Sequence, residues 1–171
     1  MAQNAKDGLN QESTCYAGGF PLLWSAFALV PQALIEDENP DLWLNFLRER
    51  VPHDQVISST TFEELGLVCL YEAKKEREHV IPYILSRACA HEITDNAVCA
   101  IRDSDKLAVV CFINGQLHLG NIYEATTKEQ TLYWILKIYE VLQIPASVTL
   151  YLQCGEATRK LITSHLHVEP F

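Results

Sequence analysis

The sequence predicts an α/β protein in which a mixed sheet is flanked by helices, and the second half of the chain carries this prediction. Three strand patterns occupy residues 98–102, 106–113 and 116–124. An amphipathic helix follows at residues 128–142, and residues 147–152 then read as a buried strand. A helix that links two strands of one sheet normally makes a right-handed crossover between parallel strands. The expected sheet therefore combines antiparallel and parallel pairs.

Short-range signals in the second half define the ends of these elements. Asn114-Gly115 predicts a type I′ hairpin turn, because both central positions of that turn need a positive φ. The helix that follows starts after Thr126 or Thr127, since each hydroxyl has a Glu or Gln three residues later and can form a capping box. Its apolar positions cover more than half of its circumference, which indicates a buried helix. Gly155 is expected to open one further helix.

The first half of the chain gives strand and helix patterns that are interrupted by prolines. Residues 20–30 are predicted as one buried strand that Pro31 ends. A short helix is predicted at residues 40–52, where apolar residues recur at helical spacing. Residues 54–58 and 66–71 are predicted as two further strands.

A second helix is predicted at residues 74–87, where charged residues precede apolar ones. Pro82 lies inside it and removes a backbone hydrogen-bond donor. The helix therefore either kinks at Pro82 or is a shorter one that begins near Ile81. Residues 88–93 are predicted as another strand, and we place the boundary between two lobes at residues 94–96.

Composition and charge describe an ordinary globular protein and exclude some partners. The chain has 171 residues, 49% of them hydrophobic, and a formal net charge of −9. Its 13 basic residues are scattered, which argues against binding to nucleic acid or to an anionic membrane. Residues 1–12 are unlike a signal peptide, and the most apolar run is too short to span a bilayer. We expect a soluble protein of the cytoplasm.

The cysteines and histidines form no pattern that is typical of a metal site. The six cysteines lie far apart without a CxxC pair, and we expect them to be buried free thiols. The spacing of Cys89, His91 and Cys99 matches no usual zinc site. His165 and His167 are expected in an exposed tail. We predict no metal site and no catalytic residue.

Three segments form a pattern that extends over residues 25–156 and resembles a known family. The family is DUF3822, uncharacterised proteins found largely in Bacteroidetes, and the resemblance implies an actin-like ATPase fold. The element order of the second half is likewise similar to a ribonuclease-H-like domain. The first segment is FALVP at 27–31, followed by Ala33-Leu34-Ile35 and Leu44-Asn45-Phe46. The second is residues 67–72, followed by the charged helix and His91. The third is residues 107–155, which include Gly115, Asn121, Tyr123 and the aromatic helix at 130–139.

The resemblance implies a division into two small, related actin-like lobes. We expect a flexible lead-in at residues 1–18, an incomplete first lobe at residues 19–95 and the second lobe at residues 96–171. The first lobe is expected to be incomplete because part of its opening sheet is missing from this chain. The chain is accordingly interpreted as a short or truncated member of the family.

The resemblance also indicates where a nucleotide would bind. Actin-like ATPases hold phosphate with Asp- and Gly-containing hairpins, and Asp103-Ser104-Asp105 occupies the corresponding turn of the second lobe. This turn has no glycine to let backbone N–H groups approach a phosphate, and its two carboxylates repel one unless a metal intervenes. Gly155 lies between a strand and a helix, where open α/β sheets often bind ligands. Asp103, Ser104, Asp105 and Gly155 are the candidate contacts for ATP with Mg²⁺.

Two functions are considered, and they differ in whether the glycine-free turn binds a nucleotide. We expect a non-catalytic actin-like protein without a cofactor, which binds another protein or associates with itself. The alternative is an ATP-binding or weakly hydrolysing actin-like ATPase that uses the Asp103–Asp105 turn and Gly155.

Overall fold

The computed structural model describes residues 16–17, 20–37, 56–73 and 77–171. Four helices are described: α1 (Gln32–Asp37), α2 (Val80–Ala90), α3 (Lys128–Val141) and α4 (Glu156–Ile162), together with a 3₁₀ turn at Glu63–Leu65. The strands are β1 (Tyr16–Ala17), β2 (Phe20–Pro21), β3 (Phe27–Pro31), β4 (Val56–Phe62), β5 (Leu67–Ala73), β6 (Ala97–Asp103), β7 (Lys106–Ile113), β8 (Gln116–Glu124), β9 (Leu150–Gln153) and β10 (Val168–Pro170).

The larger sheet has five strands in the order β10-β9-β6-β7-β8. Strands β6, β7 and β8 pair in antiparallel fashion, whereas β9 is parallel to β6 and β10 is parallel to β9. Helix α3 connects β8 to β9, and α4 connects β9 to β10. The predicted mixed sheet, with a crossover helix between parallel strands, is therefore confirmed.

Local signals in the second half form the structures that the sequence predicts. Asn114 has a φ of 52° and Gly115 a φ of 74°, so both central residues of the β7–β8 turn are left-handed. The hydroxyl of Thr127 accepts a hydrogen bond from the Gln130 N–H at 3.2 Å, while the Gln130 side chain accepts one from the Thr127 N–H at 3.3 Å. This capping box makes Thr127, rather than Thr126, the residue that caps α3.

The smaller sheet has the order β3-β5-β4 and is antiparallel throughout. The prediction of one strand over residues 20–30 is wrong, because β2 ends at Pro21 and β3 begins only at Phe27. Between them, the Leu23 N–H donates to the Glu78 carbonyl at 2.8 Å, and the Leu23 carbonyl accepts from the Val80 N–H at 2.9 Å. The backbone here pairs with the entry to α2 instead of continuing along the sheet.

Helix α2 begins at Val80, which confirms the shorter of the two helices considered for this segment. Pro82 is its third residue, a position where the backbone N–H has no partner within the helix, so the proline costs no hydrogen bond. The prediction of a strand at residues 88–93 is wrong. The helix runs to Ala90, and the Ile93 N–H then donates to the Ala88 carbonyl at 3.0 Å to close the turn.

Some predictions fall on residues outside the described ranges. The helix predicted at residues 40–52 lies entirely outside them. Of the predicted lead-in, residues 1–15 and 18 also lie outside them, whereas residues 16–17 pair with residues 20–21. Of the predicted strand at residues 54–58, the described part begins at Val56, and strand β4 extends to Phe62. Within the described ranges, no helix is both long enough and apolar enough to cross a membrane.

Strands β6 and β7 of the larger sheet are buried on both faces, which explains their uninterrupted apolar runs. Alternate residues of β6 enter two different core clusters, Cys99 and Ile101 on one face and Val98 and Ala100 on the other. Helices α3 and α4 cover the second face. The first face is covered by α2 together with residues from the smaller sheet, such as Cys69. One core thus joins residues from both sides of the predicted lobe boundary, and the division into lobes stays a prediction.

Candidate functional site

The turn predicted to contact phosphate connects β6 to β7. Asp103 is paired with Lys106 across the turn, and Ser104 has a φ of 53°, a left-handed conformation that glycine usually provides. The Ser104 hydroxyl donates to an Asp103 carboxylate oxygen at 3.3 Å. The Asp105 carbonyl accepts a hydrogen bond from the Ala125 N–H. The turn is therefore held against the end of β8, and one of its backbone acceptors is already used.

Gly155 lies at the same edge of the sheet as this turn. Strands β6 and β9 are parallel, with Ile101 opposite Gln153, so their carboxyl ends meet at one edge. Gly155 precedes α4 with a φ of −65°, and no atom lies within 4 Å of the position that a Cβ would take. Neither its conformation nor its surroundings require glycine. The structure brings the predicted site residues to adjacent strand ends, and nucleotide binding by them stays a prediction.

The charges around the turn are of both signs. Asp103 and Asp105 carry two carboxylates, and Glu124 is the cross-strand neighbour of Lys106. The Lys106 ammonium donates a hydrogen bond to the Trp24 carbonyl at 3.3 Å, so this cation is engaged away from the turn. Among the described residues, no group of three or more His, Cys, Asp or Glu side chains is placed to hold a metal ion. Two guanidinium groups lie at the same edge of the sheet: Arg102 donates a hydrogen bond to the Thr126 carbonyl, and Arg159 donates one to the Leu152 carbonyl. Phosphate contact at the turn stays a prediction.

A groove that the sequence did not indicate lies between β3, an edge strand of the smaller sheet, and one face of β8, an edge strand of the larger sheet. It encloses about 710 Å³ between β3 and β8, and we call it the edge groove. Within the described part of the chain, no Lys, Arg, Asp or Glu side chain lines it. The lining residues are Trp24, Ser25, Ala26, Phe27, Ala28, Leu29, Pro31, Leu67, Leu117, His118, Leu119, Gly120, Asn121 and Ile122.

Two irregularities of β8 shape this groove. The register shifts between Cys111 and Phe112, which are paired with Leu119 and Leu117, so His118 is an extra, bulged residue. Bulges re-aim side chains, and His118 is exposed on the groove wall. Further along β8, a methyl group at Gly120 would overlap the end of the Leu29 side chain. Glycine at this position lets β3 approach β8 closely.

A second, smaller cavity lies on the opposite face of β8, and we call it the helix slot. It encloses about 210 Å³ between β8 and α3, and its lining residues are Leu119, Tyr123, Trp134, Lys137, Ile138, Val141 and Leu142. The rings of Tyr123 and Trp134 are stacked with centroids 4.6 Å apart. The Trp134 indole N–H donates to the Glu124 carbonyl at 3.0 Å. Val141 is 64% exposed at the slot, although it is fully apolar.

A buried histidine, which the sequence did not single out, fixes the groove wall. The His79 side chain accepts a hydrogen bond from the Ile81 N–H at 3.2 Å through Nδ1, and Nε2 donates to the Ser25 carbonyl at 3.0 Å. Its ring lies between those of Phe27 and Tyr71, at centroid distances of 5.6 and 5.4 Å. Burial lowers the pKa of His79 to about 4, so the ring is neutral at pH 7.

The thiols in the described residues are free, as predicted, and the deepest are chemically quiet. Burial raises the pKa of Cys69, Cys99 and Cys111 to about 12, so their thiolates are scarce at neutral pH. Burial also raises the pKa of Cys154, although the Arg159 and Arg102 guanidinium groups oppose this effect.

The chain was compared with known protein families and with curated proteins. The model of a family described as "protein of unknown function (DUF3822)" matches residues 76–166. The chain belongs to the DUF3822 family. No curated protein matches this DUF3822 chain.

A solved structure is similar to this DUF3822 protein along most of its length. It is a protein of Bacteroides thetaiotaomicron with an actin-like ATPase fold and unknown function, with a TM-score of 0.64 and 17% sequence identity. The match covers 85% of this chain and 64% of the other, so this chain spans less than two thirds of its neighbour. At this identity the likeness shows the fold alone: the DUF3822 chain has an actin-like α/β fold.

Proposed function

We propose that this DUF3822 protein is a non-catalytic, actin-like protein that binds another protein, and that the edge groove receives the partner. The observation that carries the proposal is the lining of the groove, which includes no Lys, Arg, Asp or Glu among the described residues. A triphosphate in it would lose hydration without gaining a cation, which is costly. An apolar protein segment would gain free energy from the same burial.

The size and lining of the groove suit a protein segment. Its volume of about 710 Å³ is large enough to receive several side chains of an extended segment. Trp24 and Phe27 are partly buried and present aromatic surface, the type of side chain that contributes most to protein interfaces. Ser25, His118 and Asn121 add polar groups that can orient a bound backbone.

The wider setting of the protein is part of the same proposal. We place it in the cytoplasm of a bacterium, in a Bacteroidetes species, with a protein partner and without nucleic acid or membrane. The net charge of −9 supports the exclusion of nucleic acid, and the buried free thiols fit a reducing compartment. The source of the similar solved structure supports the lineage.

Selection of peptides from a random display library tests the proposal. We expect apolar peptides whose affinity falls by about tenfold or more for His118→Glu, because this substitution places a carboxylate in the groove. His165→Glu is the matched control, since His165 is also exposed but lies beyond α4. Circular dichroism verifies that both variants fold. Peptides that bind the two variants equally well contradict the proposal.

The second candidate is ATP binding, and one observation favours it: the Asp103–Asp105 turn and Gly155 lie at the same edge of the sheet. Equilibrium dialysis with ATP and Mg²⁺ separates the two functions. We expect no binding with a Kd below about 100 μM. Tighter binding that disappears in Asp103→Ala would establish the nucleotide site and contradict a groove-only function.

A further inference from the structure

Strand β8 is the open edge of the larger sheet. Within the described residues it pairs only with β7, and it is nine residues long, or about 30 Å. Residues 117–122 of this strand line the edge groove. An edge strand offers backbone N–H and C=O groups to which another strand can bind.

The outward backbone groups of β8 are partly capped by side chains. The Ile122 N–H donates to the Asn121 side-chain oxygen at 2.9 Å, and the Glu124 carbonyl accepts from the Trp134 indole. Both groups therefore face away from β7. Because alternate residues of a strand direct their backbone groups to the same side, those of Gly120 share this open side. These caps satisfy the edge in the free protein and can be displaced by an incoming strand.

The two cavities flank this edge on opposite faces of the sheet. The edge groove lies on the face that contacts β3, and the helix slot lies on the face that contacts α3. Successive side chains of a strand point to opposite faces. A strand added beside β8 would thus direct alternate side chains into the groove and into the slot.

We propose that the partner binds by adding an extended segment as a further strand to the open edge of β8. This inference rests on the proposed function and specifies the ligand class. The bound stretch is apolar at successive residues, because the cavity on each face is largely apolar, and it contains no proline where an N–H must bind. Gly120 and Ile122 supply the backbone groups at the centre of the site.

Acidic residues near the two ends of β8 indicate which residues flank the apolar stretch of the bound segment. At one end of β8, the two carboxylates of Glu124 and Asp105 outnumber the ammonium of Lys106, which is the cross-strand neighbour of Glu124; the Asp105 carbonyl accepts a hydrogen bond from the Ala125 N–H. At the other end, the carbonyl of Asp95 accepts a hydrogen bond from the Gly115 N–H at 2.9 Å. The whole protein carries a net charge of −9. A segment with basic residues on both sides of its apolar stretch is complementary to this pattern.

A second folded copy of the chain fits the site less well than an isolated segment. Strand β8 lies between two walls, one formed by β3 and Trp24 and the other by α3. A second copy would carry the same two walls beside its own β8. Pairing of the two β8 strands would therefore bring the walls of one copy against those of the other. An extended segment has no such walls and can reach the edge. The partner is therefore a different protein that presents such a segment.

Peptides methylated at alternate backbone nitrogens test strand addition. The probe is a fluorescein-labelled peptide whose centre alternates valine with alanine and whose ends each carry a lysine and an arginine. Two further versions are N-methylated at alternate central residues, in the two possible registers. We expect one register to lower the affinity about a hundredfold, through the loss of about three hydrogen bonds, while the other binds within about threefold of the parent.

Two helix variants test the slot with the same probe. Val141→Asp should weaken binding of the unmethylated peptide about tenfold, because it places a charge in the slot. Leu136→Asp makes the same change on α3 outside the slot, at a residue that is 38% exposed, and should leave binding unchanged. Equal affinities of the two variants would overturn the assignment of alternate side chains to the slot.

The outcomes separate this inference from the proposed function. If the probe binds and His118→Glu weakens it, but the two methylated registers bind equally, strand addition is wrong and the groove remains a protein-binding site. If the probe fails to bind at about 1 mM, strand addition is also wrong. Groove-dependent peptides from the display library would still support the proposed function in that case.

Discussion

Acidification should destabilise this protein through His79, and the size of the effect follows from its burial. The ring is fully buried and its pKa is about 4 in the folded protein, against 6.5 for an unperturbed histidine. Between these values the unfolded chain binds a proton that the folded chain does not, so stability falls as the pH falls. The stability contributed by the neutral His79 ring is complete above pH 6.5 and is lost progressively as the pH falls towards 4. At pH 5 the two values correspond to a loss of about 2 kcal/mol relative to pH 7.5.

Urea unfolding followed by circular dichroism at pH 7.5 and pH 5 measures this loss. The informative variant is His79→Asn, because asparagine can still cap α2 but does not titrate. The variant should be less stable at pH 7.5, and the difference from the wild type should shrink by about 2 kcal/mol at pH 5. Burial raises the pKa of the neighbouring Glu78, which acts in the opposite direction and is present in both proteins.

The control is His118→Asn, which makes the same substitution at an exposed histidine. It should retain the pH dependence of the wild type. If His79→Asn shows the same change in stability between pH 7.5 and pH 5 as the wild type, the linkage to His79 is refuted.

Three other predictions follow from packing, capping and burial. Gly120→Ala should lower the free energy of unfolding by about 1 kcal/mol, because its methyl group overlaps the end of the Leu29 side chain, and this cost should largely disappear when Leu29→Ala is made in the same protein. Urea unfolding of the two single variants and the double variant measures the coupling, and additive effects would contradict the close approach. Thr127→Ala should cost about 1 kcal/mol through loss of the capping box, and an unchanged midpoint of thermal unfolding would contradict this role. Iodoacetamide at pH 8 should alkylate Cys154 faster than Cys111, because the Cys111 thiol is fully buried. Peptide mapping by mass spectrometry measures the two rates, and faster alkylation of Cys111 would contradict this prediction.

The β6–β7 turn has its left-handed residue at Ser104, and the strands on both sides of it pair regularly. Within the described residues, β8 pairs only with β7, and its other edge is where we propose that the partner binds.

The sequence alone determined the elements whose causes lie within a few residues. Asn114-Gly115 specified its turn because few residues tolerate two consecutive positive φ values, and Thr127 with Gln130 specified the start of α3 through local hydrogen bonds. The mixed sheet followed from the order of these local elements. The Asp103–Asp105 turn was predicted in the same way, as a short loop between two clear strands, whereas its contact with phosphate was implied only by the family resemblance and stays a prediction.

Only the tertiary structure decided the features that join distant parts of the chain. Leu23 leaves the strand pattern because its backbone binds Glu78 and Val80, more than fifty residues away. Gly120 acquires its role from Leu29, and the edge groove exists because a strand of one sheet packs over a face of the other sheet. Propensity and periodicity describe a residue's neighbours along the chain, whereas a groove depends on which distant surfaces meet.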